Sequence, residues 1–285
     1  MILLNLGIKM WTKKILEWTE KDKAYLSVVF TWQLPDAWSR CVWLNQQGYD
    51  VHVGGVAVSL FPEYLSSLAS VNGLYVDALS KHNRQATRFS TGCIRHCQFC
   101  AVPIVEGDLK EKKGIPNPIV CDNNILAASK KHFDYMIDTL KQVPDVDMNQ
   151  GLDCRLINSY HINRLKELNL KCVRFAWDNI NEETHVIDAI NLCIKSGIPK
   201  SKIRVYVLIG YHDTPEDALY RMQTLKDIGL SKNSPMRFQP ISGDKALIKD
   251  IYLEKPWTEY EMKRFMHYWF RQAWVSNIPY EDFRG

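Results

Sequence analysis

From about residue 86 onward, the chain alternates short apolar runs with longer segments in which apolar residues recur every three or four positions. Short apolar runs predict buried strands, and the three-to-four-residue period predicts amphipathic helices. The predicted strands are RFSTG (88–92), PIVCDNN (118–124), VDMNQG (146–151), KCVRFAW (171–177), KIRVYVLIG (202–210) and PMRFQPI (235–241). Strands that alternate with helices are typical of an α/β fold with a parallel sheet.

Helical periodicity fills the intervals that follow these strands. The predicted helices are 130–141, 160–168, a helix that carries Val186 and ends at Gly197, and two helices with the N-caps Thr214 and Thr258. At both caps an acidic residue follows three positions later, Asp217 and Glu261, as in a capping box. The last of these helices has an aromatic face.

The first 85 residues follow a different pattern. A strand is predicted over 24–30, a helix over 35–47 with Gly48 as its stop, a second strand over 49–53, and a helix over 62–69. This order predicts a small Rossmann-like α/β segment. We therefore expect two domains, an N-terminal cap over residues 1–85 and a β/α domain over residues 86–285.

Composition narrows the class of protein. Hydrophobic residues make up 46% and charged residues 24% of the chain, with a formal net charge of +4, which is typical of a globular protein and predicts neither disorder nor a membrane protein. The N-terminus lacks the basic leading region and cleavage site of a secretory signal. Of the eight cysteines, five stand isolated in apolar contexts, as in proteins of a reducing compartment. We expect a cytoplasmic protein that does not bind a membrane.

Three cysteines lie together in the stretch STGCIRHCQFCA (90–101). Cys93, Cys97 and Cys100 form the pattern CxxxCxxC, and closely spaced thiolates are ligands of iron-sulfur clusters. A 4Fe-4S cluster usually takes four cysteines, so three would leave one iron open to another ligand. The alternatives are a structural zinc site that uses His96 or a distant ligand, and three unrelated cysteines. No second CxxC-like half-site accompanies the triplet, as a zinc site usually requires.

The cysteine pattern, with Phe99 directly before the last cysteine, resembles the signature of the radical S-adenosylmethionine (SAM) superfamily. The resemblance implies that Cys93, Cys97 and Cys100 hold a 4Fe-4S cluster, that SAM chelates the fourth iron, and that the backbone near Phe99 contacts the adenine. It also implies an open, partial (β/α)6 TIM-like barrel, which six β/α units match.

Polar residues at the ends of the predicted strands are candidates for binding SAM, because ligands of parallel α/β folds collect at the carboxyl ends of the strands. The DNN at the end of the second strand is similar to the Asp-Asp-Asn-like variant of methylthiotransferase-like members, in the place where the family holds the amino group of SAM. By the same resemblance, residues 209–211 would line the adenine. The candidate SAM-binding residues are Phe99, Asp122, Asn123, Asn124, Gln150, Asp153, Arg155, Asp178, Ile209, Gly210 and Tyr211.

The N-terminal segment resembles part of the cobalamin-binding domain that precedes the barrel in one branch of the superfamily. Asp50, His52 and Gly55 spell the DxHxxG motif that ligates cobalt in that domain. Here the motif falls inside a predicted strand rather than in a loop, and a segment of about 85 residues is short for such a domain. We expect a remnant of this domain that does not bind cobalamin.

The expected activity is reductive cleavage of SAM to a 5'-deoxyadenosyl radical, which abstracts hydrogen from a substrate. A nucleotide or nucleic-acid base is the first substrate class to test, and the electron donor would be a protein such as flavodoxin or ferredoxin. Cys121 and Cys154 are candidate hydrogen donors, although buried packing is the safer interpretation for both. The alternatives are radical methyl or methylthio transfer with the same cluster, and a non-enzymatic iron-sulfur electron carrier or binding module.

Overall fold

The structure is a computed structural model that describes residues 11, 14–72, 78–271 and 277–284. It is a mixed α/β protein with two compact units. The first unit consists of residues 1–86, 95–108 and 239–252, and the second of residues 87–94, 109–238 and 253–285. The predicted boundary between residues 85 and 86 lies beside the end of the first segment, while the segments 95–108 and 239–252 group with the first unit.

The first unit is built around a four-stranded sheet. Its elements are β1 (Leu16–Glu20), β2 (Lys23–Ser27), α1 (Leu34–Gln46), β3 (Asp50–Gly54), α2 (Val56–Leu60), β4 (Ser70–Val71), α3 (Leu79–His82) and α4 (Val102–Val105). The strand order is β1-β2-β3-β4, with β1 antiparallel to β2 and the other pairs parallel. Pro35 lies in the first turn of α1, and Gly48 after its end has a φ of +85°, as the sequence predicts.

One prediction for this unit is wrong. The segment 62–69 forms a single 3-10 turn, Pro62–Tyr64, followed by hydrogen-bonded turns rather than an α-helix. Leu65 is fully buried, and Tyr64 packs edge-on against Trp38 with a ring-centroid distance of 6.0 Å. Tertiary contacts therefore override the short helical pattern.

The second unit contains the remaining strands and helices. They are β5 (Ala86–Thr87, at the boundary), β6 (Ser90–Thr91), β7 (Lys110–Glu111), β8 (Ile119–Val120), α5 (Lys130–Leu140), β9 (Val146–Met148), α6 (Ser159–Leu165), β10 (Leu170–Trp177), α7 (Glu183–Lys195), β11 (Ile203–Ile209), α8 (Pro215–Asp227), β12 (Ser234–Arg237) and α9 (Glu259–Phe270). Six strands form a sheet in the order β5-β8-β9-β10-β11-β12. The pairs from β8 to β12 are parallel, which confirms the prediction of a parallel sheet.

The predicted first strand differs from the structure. RFSTG (88–92) is divided, because β5 ends at Thr87 and the two-residue β6 begins at Ser90 and pairs with β7. The five following strands and their helices lie at the predicted places, and both predicted capping boxes are present at Thr214 and Thr258. No helix of the described residues is long and apolar enough to cross a membrane.

The six-stranded sheet has two unlike faces. On one face, which we call the helix-packed face, the side chains are apolar and pack against α5 to α9; its members on β10 and β11 are Val173, Phe175, Trp177, Ile203, Val205, Val207 and Ile209. On the other face, which we call the polar face, the residues include Cys121, Asp147, Asn149, Arg174, Arg204 and Tyr206. The period of two along each strand separates the two sets.

Candidate functional site

The three clustered cysteines lie on an irregular loop between β6 and α4. The Cys100 N–H donates to the Cys97 carbonyl at 3.0 Å, which closes a tight turn around the half-buried Phe99. All three cysteines are reduced and half-buried. Cys93 belongs to the second unit, whereas Cys97 and Cys100 belong to the first.

The thiols of Cys93, Cys97 and Cys100 suit an iron-sulfur cluster in their chemistry, because such clusters are bound by cysteine thiolates. No group of three or more His, Cys, Asp or Glu side chains that could hold a metal ion is present within the described residues.

Asp122 fixes the backbone that leads into the cysteine loop. Its carboxylate accepts hydrogen bonds from the Phe89 N–H at 2.9 Å and from the Ser90 hydroxyl at 2.6 Å. The side chain is buried, and burial raises its pKa. Both oxygens accept the Phe89 N–H, so the structure places this candidate SAM ligand inside the fold as an anchor of the loop.

Asn124 connects the cysteine loop to the ends of the parallel strands. Its amide donates to Cys93 Sγ at 3.5 Å and to the Asp153 carboxylate at 3.3 Å. The Asn124 side chain is buried, and its Oδ1 has no hydrogen-bond partner among the described residues. A buried carbonyl without a donor is unfavourable, so this atom is poised to accept a hydrogen bond from a bound group.

From Asp153 a polar chain continues across the carboxyl ends of the strands. The Arg155 guanidinium donates to Asp153 at 2.7 Å and to Glu182 at 3.1 Å, and the Asp178 N–H donates to Glu182 at 3.3 Å. Burial, together with the charge of Glu182, raises the pKa of Asp178 to about 6. We call Asn124, Asp153, Arg155, Asp178 and Glu182 the strand-end network.

Two candidates of the same region stand outside this network. Gln150 is exposed after the end of β9, and no described hydrogen bond joins it to the strand-end network. Asn123 is half-buried beside Asn124.

The predicted adenine-lining residues follow β11. Ile209 is fully buried on the helix-packed face, and Tyr211 packs against Phe238 at a ring-centroid distance of 4.6 Å. Gly210 has a φ of +78°, and its N–H donates to Asp213 at 2.8 Å. A side chain at Gly210 would be strained by this backbone conformation and would approach Met262, so this turn favours glycine.

The two candidate hydrogen donors are protonated thiols at neutral pH. Burial raises the pKa of Cys121 to about 12, and burial together with the nearby Asp153 raises the pKa of Cys154 as well. Cys121 is fully buried on the polar face, whereas Cys154 is half-buried beside the strand-end network. The structure thus brings Cys154 closer to the candidate site.

Sequence reasoning missed two residues that organise this edge of the sheet. Arg221 on α8 is fully buried; its Nη1 donates to the carbonyls of Trp177 and Leu208, each at 2.9 Å, and its Nη2 to Asp213. The sequence signal that could have indicated Arg221 is its position among the apolar residues that form the buried face of α8. The other missed residue is Glu182, whose place four residues after Asp178 gave no distinctive pattern.

No protein-family model matches the chain, and no curated protein matches it.

Proposed function

We propose that the protein is a radical SAM enzyme. The observation that carries this proposal is the hydrogen bond between Asn124 and Cys93, which joins the CxxxCxxC loop to the strand-end network. An isolated metal-binding loop needs no such network. A loop that presents a cofactor to a zwitterionic ligand needs acceptors and a guanidinium beside it, and this network supplies both.

The topology supports a partial (β/α)6 barrel for the second unit. In the six-stranded sheet, neighbouring strands are consecutive apart from the short hairpin strands β6 and β7, and helices pack on one face. A doubly wound sheet reverses its strand order and carries helices on both faces. The wall of a (β/α) barrel has consecutive strands and helices outside only.

Cys93, Cys97 and Cys100 would hold a 4Fe-4S cluster, which together with SAM supplies a 5'-deoxyadenosyl radical. The chain's own residues would bind and orient SAM. Arg155 can pair with its carboxylate, and the Asn124 Oδ1 can accept a hydrogen bond from its amino group. Asp178 would accept hydrogen bonds from the ribose hydroxyls.

We further propose that Cys154 returns a hydrogen atom to the substrate radical. The raised pKa keeps the S–H bond intact at neutral pH. Transfer of this hydrogen atom leaves a thiyl radical, which one electron from a low-potential donor such as flavodoxin or ferredoxin and one proton from solvent convert back to the thiol. Because a thiol exchanges with solvent, a reaction in deuterated buffer should place deuterium in the product.

A nucleotide or nucleic-acid base is the substrate class that we propose, in a cytoplasmic setting where low-potential electron donors are present. The decisive experiment is anaerobic reconstitution of the full chain with iron and sulfide, followed by reduction in the presence of SAM. We expect about four iron atoms per chain and slow release of 5'-deoxyadenosine without substrate. A reducible cluster without SAM-dependent release would instead favour an electron carrier, and bound zinc would reject the proposal.

A further inference from the structure

The polar face of the six-stranded sheet carries a positive charge for which the described residues supply no ion pair. Arg174 and Arg204 are register partners on the neighbouring strands β10 and β11, so their side chains project side by side from the polar face. Arg174 is buried and forms an ion pair with Asp147. Arg204 forms no ion pair with an acidic residue of the described chain, and its Nε is buried without a hydrogen-bond partner there.

The surroundings of Arg204 add to this positive charge. The Cys172 thiol donates to Asp147 at 3.4 Å on the same face. Burial raises the pKa of Cys172, and the positive charges of Arg204, Lys171 and Lys232 oppose this rise. The Arg174–Asp147 pair is neutral as a unit. Arg204 and the two lysines therefore leave an excess of positive charge at this end of the polar face, where an anion would be stabilised.

The remainder of the polar face is suited to an organic group. Beyond Arg204, the next residues of β11 on this face are Tyr206 and Leu208, and Met236 lies opposite Leu208 on β12. All three are half-buried, in contrast to the fully buried residues of the helix-packed face between them. An aromatic ring and two apolar side chains thus follow the arginine toward the carboxyl ends of the strands. A strand rises about 3.3 Å per residue, so Arg204 to Ile209 spans about 16 Å.

We propose that the polar face binds a small phosphate ester with a ring-containing body, its phosphate on Arg204 and its body along Tyr206, Leu208 and Met236. A tetrahedral phosphate presents oxygens in several directions, so it can accept hydrogen bonds from more than one N–H of the Arg204 guanidinium, whereas a carboxylate offers two oxygens in one plane. The Tyr206 hydroxyl donates to the Asn149 carbonyl at 3.4 Å, so Tyr206 contributes its ring to the organic body. That this compound is the substrate of the reaction rests on the proposed function, but its binding requires neither a cluster nor SAM.

The test is calorimetric titration of the cluster-free full chain in a low-salt buffer without phosphate. The probes are inorganic phosphate, uridine 5'-monophosphate, uridine and succinate. We expect uridine 5'-monophosphate to bind more tightly than inorganic phosphate, and both to bind at least tenfold more tightly than succinate or uridine. Succinate that binds as tightly as phosphate, or no phosphate binding at millimolar concentration, would overturn the proposal.

Variants assign the binding to this face. Arg204→Gln should lower the affinity for phosphate and for uridine 5'-monophosphate at least tenfold, and Arg204→Lys should lower both affinities less. Lys195→Gln is the matched control, because it removes a positive charge from the exposed end of α7; it should leave the affinity unchanged. Since no described residue forms an ion pair with Arg204 or accepts a hydrogen bond from its Nε, Arg204→Gln should keep or raise the melting temperature. Unchanged affinity in Arg204→Gln, or a melting temperature that falls by several degrees, would contradict a binding role.

Discussion

Arg221 and Asp213 form a buried ion pair, with 2.5 Å between the guanidinium and the carboxylate. Asp213 also accepts the indole N–H of Trp257 at 2.9 Å, and Arg221 donates to the carbonyls of Trp177 and Leu208 near the ends of two neighbouring strands. One buried cation therefore holds together α8, the turn after β11 and the start of α9.

We predict that Arg221→Met lowers the free energy of unfolding by about 3–5 kcal/mol, because it leaves the Asp213 carboxylate buried without its cation. Chemical denaturation measures this loss. The double variant Arg221→Met with Asp213→Asn should be less destabilised than the sum of its single variants, since it removes both charges. Strict additivity would contradict the coupling.

Replacement of any one of Cys93, Cys97 and Cys100 by alanine should abolish the 4Fe-4S cluster, because the proposed site has no spare thiolate. Iron and acid-labile sulfide, measured after anaerobic reconstitution, test this. Cys193→Ala is the control. Cys193 lies on α7 and is fully buried in the hydrophobic core, so it should have no part in iron binding. Full iron content in the triple alanine variant is the result that rules the assignment out.

Arg155→Gln should weaken SAM binding about ten- to hundredfold, since a charge-assisted hydrogen bond contributes about 1.5–3 kcal/mol. The cluster should remain, because Arg155 contacts carboxylates and no cysteine in the described hydrogen bonds. Equilibrium binding of SAM to the reconstituted protein is the measurement. Arg164→Gln, which breaks a comparable network of ion pairs on α6, serves as the control and should bind SAM normally.

Asp178→Asn should stabilise the protein at pH 7 while it weakens SAM binding. The pKa of Asp178 is raised to about 6, above the ordinary value of about 3.9 for an unfolded chain. The folded state therefore binds the proton more tightly, and stability falls as the pH rises from about 4 to about 6. Above this window the charged carboxylate costs about 1–3 kcal/mol, which asparagine avoids.

The measurement is the pH dependence of unfolding for both proteins. The wild type should lose stability relative to Asp178→Asn between pH 4 and pH 6, and parallel profiles would contradict the raised pKa. The charged groups that act on Asp178 are Glu182, Arg155, Arg221 and Asp153, so neutralising Glu182 should lower the pKa of Asp178.

Much of the second unit could be predicted from the sequence because its signals are local. The Thr214 and Thr258 capping boxes depend on residues three positions apart, and the apolar stripe of each helix repeats within one turn. The strand-end positions of Asn124, Asp153 and Asp178 followed from the rule that parallel strands end at one edge.

Contacts between distant residues could not be predicted in this way. The role of Asp122 depends on the Phe89 N–H, 33 residues away in the chain, and no local pattern indicates that the backbone between β5 and β6 turns toward this carboxylate. Arg221 likewise meets the carbonyl of Trp177 across 44 residues. A buried charge among apolar positions indicates that a partner exists, but its identity requires the tertiary structure.

The two unlike faces of the sheet also constrain how this gene can change. Side chains alternate between faces, so insertion or deletion of one residue within β10 or β11 would move every later side chain of that strand to the opposite face. Arg174 or Arg204 would then enter the apolar core between the sheet and the helices, and Phe175 or Val205 would take the place of an arginine on the polar face. Length variation in related chains should accordingly be confined to the loops around these strands, while within them only substitutions are tolerated.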